Sequence, residues 1–415
     1  MKILVLTSRF PYPLEKGDKL RIFHQIRELS RYHEIVLCSL AENPVQETDY
    51  EEVKQYCSKI FIIPSRTISI IKNIIANIFS FPVGVNSRKK IPFQVAYFFD
   101  NHIKKQIQEI IVSEKPNHVY CQLARMAEFV RDIPIPKTLD YMDAFSVGAE
   151  RRAESSNWLT KPFWHFEARK MAQYETDLAQ DFDNLTVISE QDRNLFSPKN
   201  NTKIQVVPNG VDTDFFSHES PTLFSEAESK AFDIAFVGNL GYYPNVEAVK
   251  FLVKRILPLL KKQIPDIKIL IAGARPTTEV KALVNNNVSI QGWLPDIREA
   301  YKNAQLFVAP LFHGSGQQNK ILEAMAMGLP CITTTLVNNA ILAQPNNEIL
   351  IADTPQEFAQ KILDMLTEMP KSSLNSNDLR KNARLFVEKN YSWSQATFTL
   401  KHILESQVLS TNALK

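Results

Sequence analysis

Glycine is scarce in this chain, at 11 of 415 residues, where an average protein carries ~7%. A sequence this sparing keeps glycine where backbone geometry or close approach demands it. Cysteine is scarcer still. Cys38, Cys57, Cys121 and Cys331 lie far apart with no C-x-x-C pair, which excludes a disulfide scaffold and a thiolate zinc site. Cys38 and Cys331 sit inside apolar runs and read as reduced core thiols. The eight histidines include no H-E-x-x-H or H-x3-H spacing, so no metal centre is expected. Net charge is also missing: 48 Lys and Arg against 45 Asp and Glu leave +3, too even for a nucleic-acid binder. No run reaches ~18 uninterrupted apolar residues, so no membrane-crossing helix is expected. The apolar start, residues 1–7, meets Pro11 and Pro13 and is too short for a signal-peptide core. A cytoplasmic location follows as the expectation.

What remains is an ordinary globular composition, 44% apolar and 22% charged. A chain of 415 residues exceeds what one core organises, and a prior of ~100–200 residues per domain gives two or three. Short β-branched runs alternate with longer segments of 3.6-residue period. Strands are predicted at 3–6, 34–39, 59–63, 118–121, 138–141 and 185–188, then at 234–237, 267–272, 288–290, 306–309, 331–334 and 349–351. Between them, Ile22, Ile26 and Leu29 share one helix face, as do Val249, Leu252, Ile256 and Leu260. Near-continuous apolar strands alternating with helices predict parallel sheets covered on both faces, and two such sets predict two doubly wound α/β domains. The turn residues Pro208, Asn209 and Gly210 mark the seam. The division is therefore 1–205, 206–390, and a helical 391–415 that packs back on the first domain.

Eight of the eleven glycines fall after residue 205. Gly238, Gly273, Gly292 and Gly314 each follow a predicted strand, where open α/β sheets bind ligands. Tight βα turns alone would also place them there. The most informative stretch is 309–330, APLFHGSGQQNKILEAMAMGLP. A strand ends at Pro310, a loop carries Gly314 and Gly316, and a helix from about Gln318 to Met327 is closed by Gly328 and Pro330. Backbone N–H groups and a positive helix end there suit a phosphate or diphosphate. Lys320 adds a cation in the first turn, and Glu323 can accept hydrogen bonds from a vicinal diol such as a ribose. A surface carboxylate near a helix N-terminus is the plainer reading of Glu323 taken alone.

The segments 291–301 (QGWLPDIREAY), 306–310 (LFVAP) and 320–330 (KILEAMAMGLP) together resemble the donor-binding half of family-4 glycosyltransferases. Residues 206–215 (VVPNGVDTDF), preceded by 187–192 (VISEQD), are similar to that family's inter-domain segment. Residues 236–245 (FVGNLGYYPN) look like the version in exopolysaccharide-associated sugar transferases. The resemblance implies a GT-B fold, two Rossmann-like domains facing across a cleft. It implies a nucleotide-sugar donor on the C-terminal domain, an acceptor on the N-terminal one, retention of anomeric configuration, and neither metal nor cofactor. Gly238, Asn239, Gly241, Gly314, Ser315, Gly316, Gln317, Asn319, Lys320 and Glu323 are the implied donor contacts. In the family's Glu-x7-Glu motif, Glu323 holds the second position and Ser315 replaces the first Glu. Asn239 and Asn245 stand where the family commonly has Arg and Lys, which leaves Lys320 as the diphosphate cation. Asp143, beside Asp140, stands near where an N-domain histidine is often found, so Lys320 and Asp143 are the catalytic candidates. Gly17 and Arg21, in the first βα loop, are carried over as an acceptor or phosphate loop.

Between residues 53 and 99 there is no Asp or Glu, but seven Lys and Arg. Within that stretch Ile71, Ile74, Ile75, Ile78 and Phe79 share a helical face. A cationic apolar surface of this kind suits anionic lipid, though a buried helix with a solvated basic loop fits the same pattern. The expected protein moves a sugar from a nucleotide-diphosphate donor to a glycan or lipid-linked polysaccharide precursor, in the cytoplasm or peripherally on the inner face of the plasma membrane. A GT-B epimerase or hydrolase and a non-catalytic GT-B partner subunit stay open as rivals.

Overall fold

The computed structural model describes residues 1–65, 91–154, 156–196, 202–217, 230–313, 317–367 and 376–412. The chain divides into two compact units, Met1–Pro208 with Ala396–Lys415, and Asn209–Gln395.

The first unit holds, among the described residues, seven parallel strands: β1 (Lys2–Thr7), β2 (Glu34–Ala41), β3 (Lys59–Pro64), β4 (His118–Gln122), β5 (Lys137–Met142), β6 (Asn184–Val187) and β7 (Ile204–Val206). Their order is β3-β2-β1-β4-β5-β6-β7, the doubly wound arrangement. Ile3 lies level with Ile35 of β2 and with His118 of β4. Residues 3–7 are buried throughout because both faces of a parallel sheet are covered. The pleat then sends alternate side chains to opposite cores. Ile3, Val5, Ile35 and Leu37 pack with Ile22, Ile26 and Leu29 of helix α1 (Gly17–Leu29). Leu4, Leu6, Val36 and Cys38 pack on the other side. Helices α2 (Phe145–Glu154) and α3 (Lys161–Leu178) follow β5. The C-terminal helix Trp393–Asn412 contributes Leu400, Ile403 and Leu404 to the Ile3 side, and Asn184 donates to the Ile403 carbonyl at 3.0 Å.

The second unit holds, among the described residues, six parallel strands: β8 (Phe232–Val237), β9 (Ile269–Ala272), β10 (Val288–Gln291), β11 (Ala304–Ala309), β12 (Cys331–Thr333) and β13 (Leu350–Ile351). The order is β10-β9-β8-β11-β12-β13. Helix α4 (Tyr243–Phe251) follows β8, and α5 (Asn319–Ala326) follows β11. The even helical period through residue 260 predicts one unbroken helix. The structure instead widens Leu252–Ile256 into a π turn before Leu257–Leu260. Pro258 is the cause: it offers no N–H, and its ring would strike the carbonyl one turn back. Cys38, Cys121 and Cys331 are buried thiols without disulfides.

Candidate active site

In an open α/β sheet the ligand crevice lies beyond the strand carboxyl ends where the strand order reverses. In the second unit that point falls between β8 and β11, which are neighbours. The loops leaving those strands carry the residues singled out from the sequence.

The loop after β8 is tied to the loop after β9. Gly238 donates to the Ala272 carbonyl at 3.0 Å and Leu240 to that of Ala274 at 2.8 Å. Gly273 adopts φ +144, and a Cβ there would lie 1.7 Å from the Gly238 carbonyl oxygen, so only glycine fits this crossing. Asn239 turns the chain by accepting from the Gly241 N–H at 3.0 Å. Asn245, buried at the start of α4, donates to the Asn239 carbonyl at 2.9 Å.

Across the reversal point, the Lys320 ammonium donates to the Asn245 side-chain oxygen at 2.5 Å. It also stands 5.4 Å from the centre of the Phe236 ring. Lys320 as a whole is half-buried, but its ammonium end is packed among these groups. Burial pushes its pKa down to about 8, with the Glu323 carboxylate acting the other way. Glu323, one turn further along α5, accepts from the Tyr301 hydroxyl at 2.8 Å. Burial raises the Glu323 pKa, while Tyr301 and Lys320 hold it back. Among the described residues, the buried Asn319 side-chain oxygen has no hydrogen-bond partner. The corner therefore offers a cation, a carboxylate fixed from behind, and an unused acceptor beside a helix N-terminus. Such a set suits a diphosphate and a hydroxyl-bearing sugar or ribose.

Gly238, Asn239, Gly241, Asn319, Lys320 and Glu323 are thus found on the loops and helix of one crevice. Gly314, Ser315 and Gly316 lie outside the described residues. Gln317 has its amide on the chain: it accepts from the Asn209 N–H at 3.0 Å and donates to the Asn209 carbonyl at 2.8 Å. It holds the Asn209 backbone within the second unit instead of presenting that amide to a ligand. Tyr301 and Asn245 complete the corner. Tyr301 gave no local signal, since its hydroxyl reaches Glu323 only through the packing of Arg298–Lys302.

In the first unit the candidates diverge. Gly17 opens α1, and among the described residues no atom apart from its chain neighbours and its own helix backbone lies within 4 Å of a Cβ built there, so the space is open. Arg21, carried over as a phosphate contact, is used differently. Its side chain is wholly buried, and its guanidinium grips both oxygens of Asp140 at 2.7 and 3.2 Å. It also donates to the Pro208 carbonyl at 3.2 Å. Asp140 accepts in addition from Tyr120 at 3.1 Å and Thr186 at 2.8 Å. This is an internal brace with no face toward a ligand. Asp143 follows β5 and is open to solvent as a residue, while packed neighbours surround its carboxyl. Burial and Asp192 raise its pKa to about 6, against the pull of Arg125 and Arg151.

Residues 231–368 match the family model described as "Glycosyl transferases group 1". This part of the chain is a group 1 glycosyl transferase domain. Over the whole length, the chain is 21% identical to an "Uncharacterized 44.6 kDa protein in cps region" of Klebsiella pneumoniae, covering 94% of this chain and 96% of that protein. It is 28% identical, over 34% of this chain and 39% of the other, to the Escherichia coli protein "UDP-Gal:alpha-D-GlcNAc-diphosphoundecaprenol alpha-1,3-galactosyltransferase". Among solved structures, Anabaena HepE in complex with UDP superposes with a TM-score of 0.67 at 13% identity, covering 98% of this chain and 100% of that one. The fold, two doubly wound α/β units, is GT-B.

Proposed function

We propose that this chain transfers a sugar from a nucleotide-diphosphate donor to a glycan or lipid-linked polysaccharide precursor, with retention of anomeric configuration and without a metal or other cofactor. The observation that carries the reading is the Lys320–Asn245 contact at the strand-order reversal, with Glu323 one turn behind it, inside the group 1 domain. Chemically, the departing diphosphate develops negative charge. A preorganised cation and a helix N-terminus stabilise that charge at little reorganisation cost. Glu323, oriented by Tyr301, is placed to accept from the ribose diol. Departure of the diphosphate and attack by the acceptor hydroxyl then share one face of the sugar. Asp143, with its raised pKa, is the side chain assigned to take up the acceptor proton. The E. coli relative is named for a UDP-sugar donor and a diphospholipid acceptor, and HepE was solved with UDP; both favour this donor class. Incubation with a panel of nucleotide-sugars should release nucleoside diphosphate in an acceptor-dependent way. Release without acceptor would favour a hydrolase or epimerase, and no release from any donor a non-catalytic subunit.

The same reading includes a peripheral position on an anionic membrane. Among the described residues, no helix is long and apolar enough to cross one. The basic, apolar segment 53–99 falls partly outside the described residues, at 66–90. Its far end is tied to α3: Glu167 accepts from the N–H groups of Phe93 and Gln94, each at 3.0 Å, and Lys170 donates to the Ile91 carbonyl at 3.0 Å. Beside that join Trp158 is 80% exposed, with Leu159, Phe163 and Phe166 also open and Arg151, Arg152, Lys161 and Arg169 exposed among them. Aromatic tips amid cations suit a lipid headgroup layer. Co-sedimentation with phosphatidylglycerol vesicles should fall sharply when Arg88, Lys89 and Lys90 become Gln, and again when Trp158 and Phe163 become Ser. Binding indifferent to both changes would count against the membrane contact.

A further inference from the structure

The first unit has its own strand-order reversal, between β1 and β4, and among the described residues a buried donor there has no hydrogen-bond partner. At the end of β4, Leu123 takes a positive φ of 71 and turns the chain into the 3-10 segment Ala124–Phe129. Arg125 follows at once. Its guanidinium is stacked on aromatic rings, 4.8 Å from the centre of Phe98 and 5.3 Å from that of Phe145. Its Nε is buried without a hydrogen-bond partner. Among the described residues, no carboxylate pairs with it. Burial, and after it the nearby Arg9, lower its pKa to about 10, while Asp18, Asp143 and Glu42 act the other way without reaching it as ion pairs.

Elsewhere in this unit the wholly buried Arg21 and the half-buried Arg131 are both neutralised. Arg21 has Asp140, and Arg131 has Glu128 and Asp181. Near Arg125, Asp18 is already held by Arg9 at 2.6 Å. Arg9 in turn lines a recess over the carboxyl ends of β1 and β2, together with Lys16 and Lys19 and with the carboxylates Glu42 and Asp49. The nearby carboxylates offset the Arg125 charge but leave its buried Nε without an acceptor, a donor that a ligand oxyanion can take up.

We infer that Arg125 is the anchor for a phosphate or diphosphate group on the acceptor. The inference rests on the transfer reading above and gives its acceptor a chemical class. The planar guanidinium, fixed by two rings, presents a preorganised fork to a phosphate. Lys16 and Lys19, on the recess that Arg9 lines, add positive charge to this end of the unit, set against Glu42 and Asp49 on the same recess. The donor diphosphate is served separately by Lys320 in the other unit. The same anion can arrive free, as a sugar phosphate, or as the headgroup of a lipid-linked glycan.

The test follows the Arg125 Nε–H resonance of the full-length protein, identified by its loss in Arg125→Lys and, independently, in Arg125→Gln. Inorganic pyrophosphate and farnesyl diphosphate are the probes. Movement of the resonance with both probes, at similar concentrations, supports an anion site that takes a free phosphate. Movement at much lower concentrations of farnesyl diphosphate supports the lipid-linked source. A resonance that stays still with both probes overturns the inference. So does a shift that disappears in Lys320→Ala, because the probe would then be reporting the donor corner. Heats of UDP binding, measured on the same samples, read the donor site alone. Their absence would count against the transfer reading while leaving the Arg125 result intact.

Discussion

Lys320→Ala is expected to slow sugar transfer by about a hundredfold or more, the range seen when one preorganised charge-stabilising group is removed. The protein should stay folded, since the truncated side chain ends in a polar corner and only its contact with the Phe236 ring reaches the core of the second unit. The loss should appear in kcat as well as in donor affinity, because charge on the departing diphosphate grows toward the transition state. A pH dependence follows with a definite sign. With its pKa lowered to about 8 by burial, the free enzyme's Lys320 is a cation at neutral pH and loses its proton as pH rises through that value. The kcat/KM for donor should therefore decline above about pH 8, and this limb should be absent in Lys320→Ala. Glu323→Gln, which keeps the shape and the Tyr301 contact, should weaken donor binding with a smaller effect on kcat. Wild-type turnover in both variants would refute the roles given to them.

The second large effect is on stability. Asp140→Ala should destabilise the first unit by about 3–5 kcal/mol, as expected when one partner of a buried ion pair is removed. The fully buried Arg21 guanidinium would lose the carboxylate it grips at 2.7 Å. Tyr120 and Thr186 would lose an acceptor as well. Asp140→Asn keeps an acceptor while removing the charge, so it should cost less. Urea unfolding followed by circular dichroism checks both, read at the transition of the first unit because two units need not unfold together. An Asp140→Ala protein within about 1 kcal/mol of wild type would mean that the brace is not structural.

Much of this architecture was legible because strands covered on both faces write themselves as apolar runs. Each predicted strand lies on an observed one. The strand without a counterpart in the reading is β7, whose three residues, Ile-Gln-Val, are too short to show a period. The crevice residues were legible through two local signals, glycines following strands and Lys320 and Glu323 spaced one turn apart on α5. What escaped the reading depended on distance along the chain. The partner of Arg21 lies 119 positions away, and nothing in residues 8–21 signals that the guanidinium turns inward. The Asn245 contact of Lys320 spans 75 positions. Arg125 likewise carries no signal in sequence, because the rings that hold its guanidinium, Phe98 and Phe145, come from other segments. Gln317 illustrates a further limit: a polar residue in a ligand loop can hold the protein's own backbone as readily as it holds a ligand.

The donor corner of the second unit is where the proposed chemistry begins. Isothermal titration of the intact chain with UDP, GDP, ADP, CDP and dTDP measures it. One of these nucleoside diphosphates should bind, and its affinity should fall by about tenfold or more in Lys320→Ala, the scale of a charge-assisted hydrogen bond to phosphate. Binding of none of them, or binding that Lys320→Ala leaves unchanged, would contradict the assignment of that corner.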